Sequence, residues 1–243
     1  MIIDEIIQFI QFPFRAIFSE GRISRTYIRI VEQIYEIGIK SLPILFIVAF
    51  FTGLVTTVQS AYQISNMLPK YFLGLTVGRM IMIELGPVLT ALTITGRCVS
   101  AMAAEIGTMK ITEQIDALRA FKIDPLNYLV KPRLIAMFIT LPLLNGFMIL
   151  VSLLVGATYA QIFYHTNVDI FFYGLTHPFH VKDFWISFIK SGFFAFWISS
   201  AGTYSGFTVR GGAKEVGQAA TKAVVISTLL ILVLDFIAAL IFI

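Results

Sequence analysis

The chain has 243 residues, 58% of them apolar and only 13% charged, with a net charge of +4 and a mean hydropathy of +0.86. So few charges cannot coat a soluble surface of this size, which excludes an ordinary soluble domain and indicates an integral membrane protein. The basic excess fits membrane topology better than nucleic acid, and the single Cys98 excludes an internal disulfide or a thiolate metal cluster.

Residues 1–40 mix Ile and Phe with Arg15, Arg22, Arg25, Arg29 and Lys40, and are broken by Pro13 and Gly21. The opening Met1-Ile-Ile-Asp-Glu lacks the basic stretch of a cleaved signal, so it is expected to remain in the mature protein. Ile23, Tyr27, Ile30, Ile34 and Ile37 recur at helical spacing, with Arg22, Arg25, Arg29, Glu32 and Glu36 largely between them. The pattern predicts an amphipathic helix lying in the membrane interface; a soluble helix packed on the protein is the alternative. The domain division expected is therefore an N-terminal interfacial segment, 1–40, and a transmembrane domain, 41–243.

Five apolar runs follow, near 42–64, 73–103, 130–163, 184–208 and 217–243, each long enough against the roughly 20 residues that cross a bilayer. In lipid such runs are helices, because only helices satisfy their own backbone groups. The fold class expected is all-α integral membrane, with five transmembrane helices. Pro142 and Asn145-Gly146 mark a kink inside the third run. With the N-terminus inside, fourteen of the eighteen Lys and Arg residues fall on the cytoplasmic side; Lys70, Arg79, Lys182 and Lys190 fall toward the other. Five crossings then place the C-terminus outside.

Between the second and third runs lies a charged amphipathic stretch. A helix over 108–121 is predicted, with Thr108 as N-cap and Ile111, Ile115, Leu118 and Phe121 on one face. Lys110 with Glu113 and Asp116 with Arg119 form two i,i+3 pairs on the remainder, beside Gln114. Composition leaves a partner-docking helix and a solvated loop helix equally open. Gly74-x-x-x-Gly78, Gly202-x-x-x-Gly206, Gly96, Ser100, Ala103 and Ala104 allow close helix approach and together suit a tightly packed helical dimer.

Arg79, Glu84, Lys190 and Asp235 lie inside apolar runs, where a charge costs about 2.5–3.5 kcal/mol or more and should face a cavity or a partner. Counted from the outer ends of their spans, Lys190 lies roughly 9 Å deep, Asp235 roughly 12 Å and Glu84 roughly 12–20 Å. Three charges on three helices thus reach similar depth. They suit a polar wall in an apolar lipid cavity; a purely structural ion-pair network is the alternative. Residues 206–212, GFTVRGG, lack the Gly-Lys-Ser/Thr of a phosphate-binding loop, so an ATP-driven transporter would need its ATPase on another chain. His177-Pro-Phe-His180, with His165, reads as an aromatic outer loop rather than a metal site, and no nucleophile elbow argues for an enzyme.

ELGPVLTAL from Glu84, Gly96-Arg97, AAEIGTMKITEQIDAL ending at Leu118 and Asp124-Pro125 form a long ordered set. From about residue 30 onward the chain resembles the MlaE-type permeases, the membrane subunits of ABC lipid transporters that work with MCE-domain proteins. The resemblance implies five transmembrane helices and an interfacial helix in a homodimer of the bacterial inner membrane. It also implies two cytoplasmic ATPase subunits, an MCE ring, and phospholipid or similar lipid as cargo, with no cofactor. On it, the 108–121 stretch with Lys110, Ile111, Glu113, Gln114, Asp116 and Leu118 becomes the coupling helix, and Glu84, Lys190, Asp235 and Arg79 become lipid-binding candidates. Ile83 stands where the family often carries a basic residue, and Arg79, one turn earlier, is the candidate substitute. An ion-coupled secondary transporter of a hydrophobic solute is the alternative function.

Overall fold

The computed structural model describes residues 2–19, 23–64, 69–177 and 181–242. Arg22, Gly21 and His180 of the readings above lie outside them, as does the side chain of Arg25. Among the described residues the chain is all-helical without a strand, and five stretches are long and apolar enough to cross a membrane: Tyr27–Gln63, Tyr71–Ile111, Leu126–Tyr164, Lys182–Phe207 and Ala213–Ile241. The all-α membrane fold expected from hydropathy is the fold observed.

The described part of the N-terminal segment holds two helices, α1 (Ile2–Ile17) and α2 (Ile23–Ile37). Helix α1 lays Phe9 and Phe12 edge-on against Tyr204, and Phe12 also against Phe207, while Ile6, Ile7, Ile10 and Phe14 stay exposed. Helix α2 packs on the long third span and runs through a bend at Gly38 and a 3-10 turn (Ile39–Ser41) into α3 (Leu42–Gln63). A Cβ on Gly38 would lie 2.6 Å from Thr140 Cγ2, so glycine lets the bend sit against that span.

The second span joins α4 (Tyr71–Arg79), α5 (Gly86–Ile94) and α6 (Ser100–Ile111) through two π-helical stretches, Met80–Leu85 and Thr95–Val99. A short helix α7 (Gln114–Ala120) follows, then a third π stretch (Leu126–Val130) opens α8 (Lys131–Tyr164). Helix α9 (Val168–Thr176) precedes α10 (Val181–Phe207) and α11 (Ala213–Phe242). Helix α8 is central, touching α2, α3, α5 and α10, and it passes through Pro142 without interruption. The adjacent Asn145 is buried and donates to Ser187 Oγ at 2.9 Å, holding α8 to α10.

The glycine motifs are spent inside this fold. Gly74 faces the backbone of Phe171 and Gly174 that of Tyr71, locking α4 to α9; Gly202 and Gly206 face Val99, Ala103 and Ile106, locking α10 to α6. This corrects their assignment to a dimer contact: small residues satisfy close approach between any two helices, and here the partners lie in the same chain. Of the glycines expected at close helix contacts, Gly96 has open space beside it.

The ends of the bundle sort cleanly. Lys70 Nζ reaches the His165 carbonyl at one end, at 3.0 Å. At the other, Lys131 Nζ and Asn127 Nδ2 both donate to the Ser19 carbonyl, and the Arg29 guanidinium lies 3.4 Å over the Tyr128 ring.

Candidate functional site

Pro87 stands in the first turn of α5. It has no N–H, so the carbonyl of Ile83, four residues earlier, lacks its α-helical donor. The helix here is π-wound, with Gly86 N–H bonded to Ile81 O. Lys190 of α10 supplies the missing donor: its Nζ lies 2.9 Å from Ile83 O. The same ammonium is 3.4 Å from Glu84 Oε2 and 2.7 Å from Asp235 Oδ1 of α11. Three helices are thus pinned at one point inside the apolar bundle.

The three members differ in access. The Lys190 side chain is 1% exposed, Asp235 22% and Glu84 41%. A buried cation therefore holds two carboxylates, one of which shows at the surface of the chain. The depth read from sequence brings these three together. Arg79, exposed at the end of α4, makes no ion pair with either carboxylate and so is not a member of this ion-paired cluster. Gly86 permits the crowding: a Cβ there would sit 2.9 Å from both Asn145 Oδ1 and Ile149 Cγ1 of α8.

Along the outer flank of α1, α8 and α10 runs an apolar groove of about 680 Å³, lined by Phe14, Phe138, Pro142, Gly192, Phe193 and Trp197 among others. Its walls carry almost only hydrocarbon. Phe138 and Phe193 are exposed, as side chains facing lipid can be.

The amphipathic loop differs from the single helix expected over 108–121. Helix α6 continues to Ile111, and Thr108 Oγ1 bonds back to Ala104 O within it rather than capping a new helix. The break falls at Thr112-Glu113, where Glu113 adopts left-handed backbone (φ 60°), and only Gln114–Ala120 is helical beyond it. Ile115 is fully buried, clustered with Ile106 and Leu129, with Leu118 packed against them. Phe121, expected on that inner face, is 77% exposed because the chain turns at Lys122 (φ 56°). Asp116 pairs with Arg119 at 2.8 Å as expected, but Lys110 turns to Asp116 at 3.8 Å instead of Glu113. Glu113, Gln114, Asp116, Arg119 and Phe121 form the exposed platform, while Ile111 is half-buried behind it.

Two features escaped the sequence reading. Arg97 Nη1 donates to Glu36 O at 3.0 Å and Ser41 Oγ at 2.5 Å, clasping the α2–α3 bend. Arg133, buried at the start of α8, holds Glu105 of α6 at 2.7 Å beneath the platform. Arg97 stood out in the sequence as part of the Gly96-Arg97 pair, and nothing there marked either arginine's partner. The turn after α10 is closed by Gly211 (φ 126°) and by Gly212 N–H bonded to Glu215 Oε2 at 2.8 Å. Within the described part of the histidine loop, His177 stacks on Tyr173.

Comparison with known proteins gives one consistent pattern. The family model described as Permease MlaE matches residues 30–241. A probable ABC transporter permease protein of Synechocystis is 39% identical over 217 residues, covering 89% of this chain and 82% of that protein. Another of the same description from Rickettsia felis is 38% identical over 230 residues, covering 93% and 87%. The chloroplastic protein TRIGALACTOSYLDIACYLGLYCEROL 1 of Arabidopsis thaliana is 33% identical over 207 residues, covering 85% of this chain and 59% of that protein.

Proposed function

The chain belongs to the MlaE permease family and is a permease subunit of an ABC transporter; from that premise we propose that it moves phospholipid or a similar lipid between the inner membrane and the outer envelope. The observation that carries the lipid reading is the triad. A half-exposed Glu84 held by a buried Lys190, within apolar spans, offers a polar contact for a headgroup at membrane depth.

The work comes from a separate cytoplasmic ATPase, docked on the platform formed by Glu113, Gln114, Asp116, Arg119 and Phe121. Support for this comes from the exposure of those side chains over an anchored Ile115, a rigid base for a partner to push on. In this reading the transporter holds two copies of the chain beneath a ring of MCE-domain protein, with Glu84 and Asp235 turned toward the space between copies. The N-terminus is cytoplasmic, supported by the fourteen basic residues that then fall on the inner side.

Reconstitution tests the proposal. Vesicles holding the chain with its cognate ATPase should transfer a fluorescent phospholipid to acceptor protein only when ATP is supplied. Transfer driven by a proton gradient without any ATPase would instead establish ion-coupled secondary transport.

A further inference from the structure

The Lys190 ammonium donates to Ile83 O at 2.9 Å and to Glu84 Oε2 at 3.4 Å, and Asp235 Oδ1 lies 2.7 Å from it as an ion-pair partner. Its side chain is 1% exposed, so no fourth partner reaches it. The group that the triad shows to a ligand is therefore not its cation. It is the carboxylate of Glu84, which in its ionised form accepts hydrogen bonds and donates none.

Charge follows the same direction. Two carboxylates and one ammonium sum to −1, and protonating one acid brings the triad to zero. A positive triad requires both acids to be protonated beside an ammonium, which their mutual attraction opposes. Arg79, the nearest basic side chain earlier on the same span, makes no ion pair with either carboxylate and leaves this balance unchanged.

Resting on the reading of the triad as a lipid-contacting wall, we infer that the site selects headgroups that present an N–H or O–H donor and carry no uncompensated negative charge. An ethanolamine phospholipid meets this with its ammonium, and a galactosyl diacylglycerol with its hydroxyls. Each donates to Glu84. A net-anionic headgroup such as phosphatidylglycerol brings its charge against a carboxylate in a medium that screens it poorly, and is rejected.

Competition decides the matter. The full-length chain, purified in detergent and stripped of lipid, is offered equal amounts of phosphatidylethanolamine, monogalactosyl diacylglycerol and phosphatidylglycerol with matched acyl chains. Native mass spectrometry then counts what each protein retains. At least one donor lipid should exceed phosphatidylglycerol by about tenfold or more, the smallest ratio that a hydrogen bond to a charged group gives. Enrichment of the first alone assigns the ammonium as the recognised donor; enrichment of the second alone assigns the hydroxyls. Glu84→Gln, which keeps the side-chain shape, should flatten the preference, and Glu84→Lys should reverse it. Saturable binding in which phosphatidylglycerol equals or exceeds both donor lipids, or a preference unchanged in Glu84→Gln, overturns the headgroup inference alone. Absence of saturable binding by any lipid overturns the lipid-wall reading and this inference with it.

Discussion

Pro87 and Lys190 are complementary: the proline withholds a backbone donor from Ile83 O, and the lysine, 103 positions later, supplies one at 2.9 Å. Either alone would leave a buried polar group unpaired, the proline an orphan carbonyl and the lysine a proton without an acceptor. Together they fix where the π-wound stretch presents Glu84.

Removing the lysine should therefore be costly in a way that removing the exposed acid is not. Lys190→Ala leaves two carboxylates and Ile83 O without their shared partner, a loss of about 3–5 kcal/mol by analogy with broken buried pairs. Glu84→Gln should cost about 1 kcal/mol or less, since the pair is partly exposed, yet lower lipid transfer. Thermal melting of the detergent-solubilised protein, set beside transfer assays, checks both. Equal melting losses in the two variants would contradict the assignment of Lys190 as the hub.

Pro87→Ala restores an N–H opposite Ile83 O. The stretch from Met80 to Leu85 should relax toward ordinary α-helix, Lys190 should lose one acceptor, and Glu84 should rotate away from its present direction. Stability is expected to hold or rise by about 1 kcal/mol, the net worth of one backbone hydrogen bond, while transport falls. A variant that melts unchanged and transports normally would show that the π stretch has no bearing on the site.

The platform prediction separates anchoring from contact. Glu113→Lys with Asp116→Lys, or Phe121→Ala alone, should release the ATPase in co-purification while the permease still inserts, because these side chains point outward. Ile115→Asp should disrupt the platform itself by placing a carboxylate in the Ile106–Leu129 cluster. Normal ATPase recovery and lipid transfer in the double charge reversal would move the docking site elsewhere.

Topology is checked by fusion. A reporter active only in the cytoplasm should be silent after Ile243 and active when placed in the Thr112–Glu113 break. Activity at both positions means an even number of crossings between the break and the C-terminus.

Five spans were legible because hydropathy registers directly in sequence, and the triad because an ionisable residue in an apolar run stands out against its neighbours. Their meeting followed from depth counting alone. The π stretches did not: the first depends on a donor that Ile83 O finds across the bundle, Lys190, more than a hundred positions later. The loop misread has a local cause. Periodicity ran on through Thr112 and Glu113, so one helix over 108–121 fitted the pattern, and only the left-handed backbone of Glu113 breaks it. Phe121 was placed inward by the same extrapolation. Arg97 was legible as part of a motif but not as a clasp, because Ser41 lies 56 positions away.

Helix α11 lies on the periphery of the chain, with Leu229, Leu232, Val233, Phe236 and Leu240 uncovered, and it touches chiefly α10 and α6. Within a bilayer, whose tails are as apolar as its own leucines, it gains little from hydrophobicity by staying docked on this chain. Sliding or rolling it along α10 would cost little in packing, were its surface uniform. Asp235, 2.7 Å from a lysine rooted in the neighbouring span, ends that freedom. It acts as an indexing pin, setting both the height and the angular setting of an otherwise featureless rod, and any motion that carries α11 outward must first draw that pin.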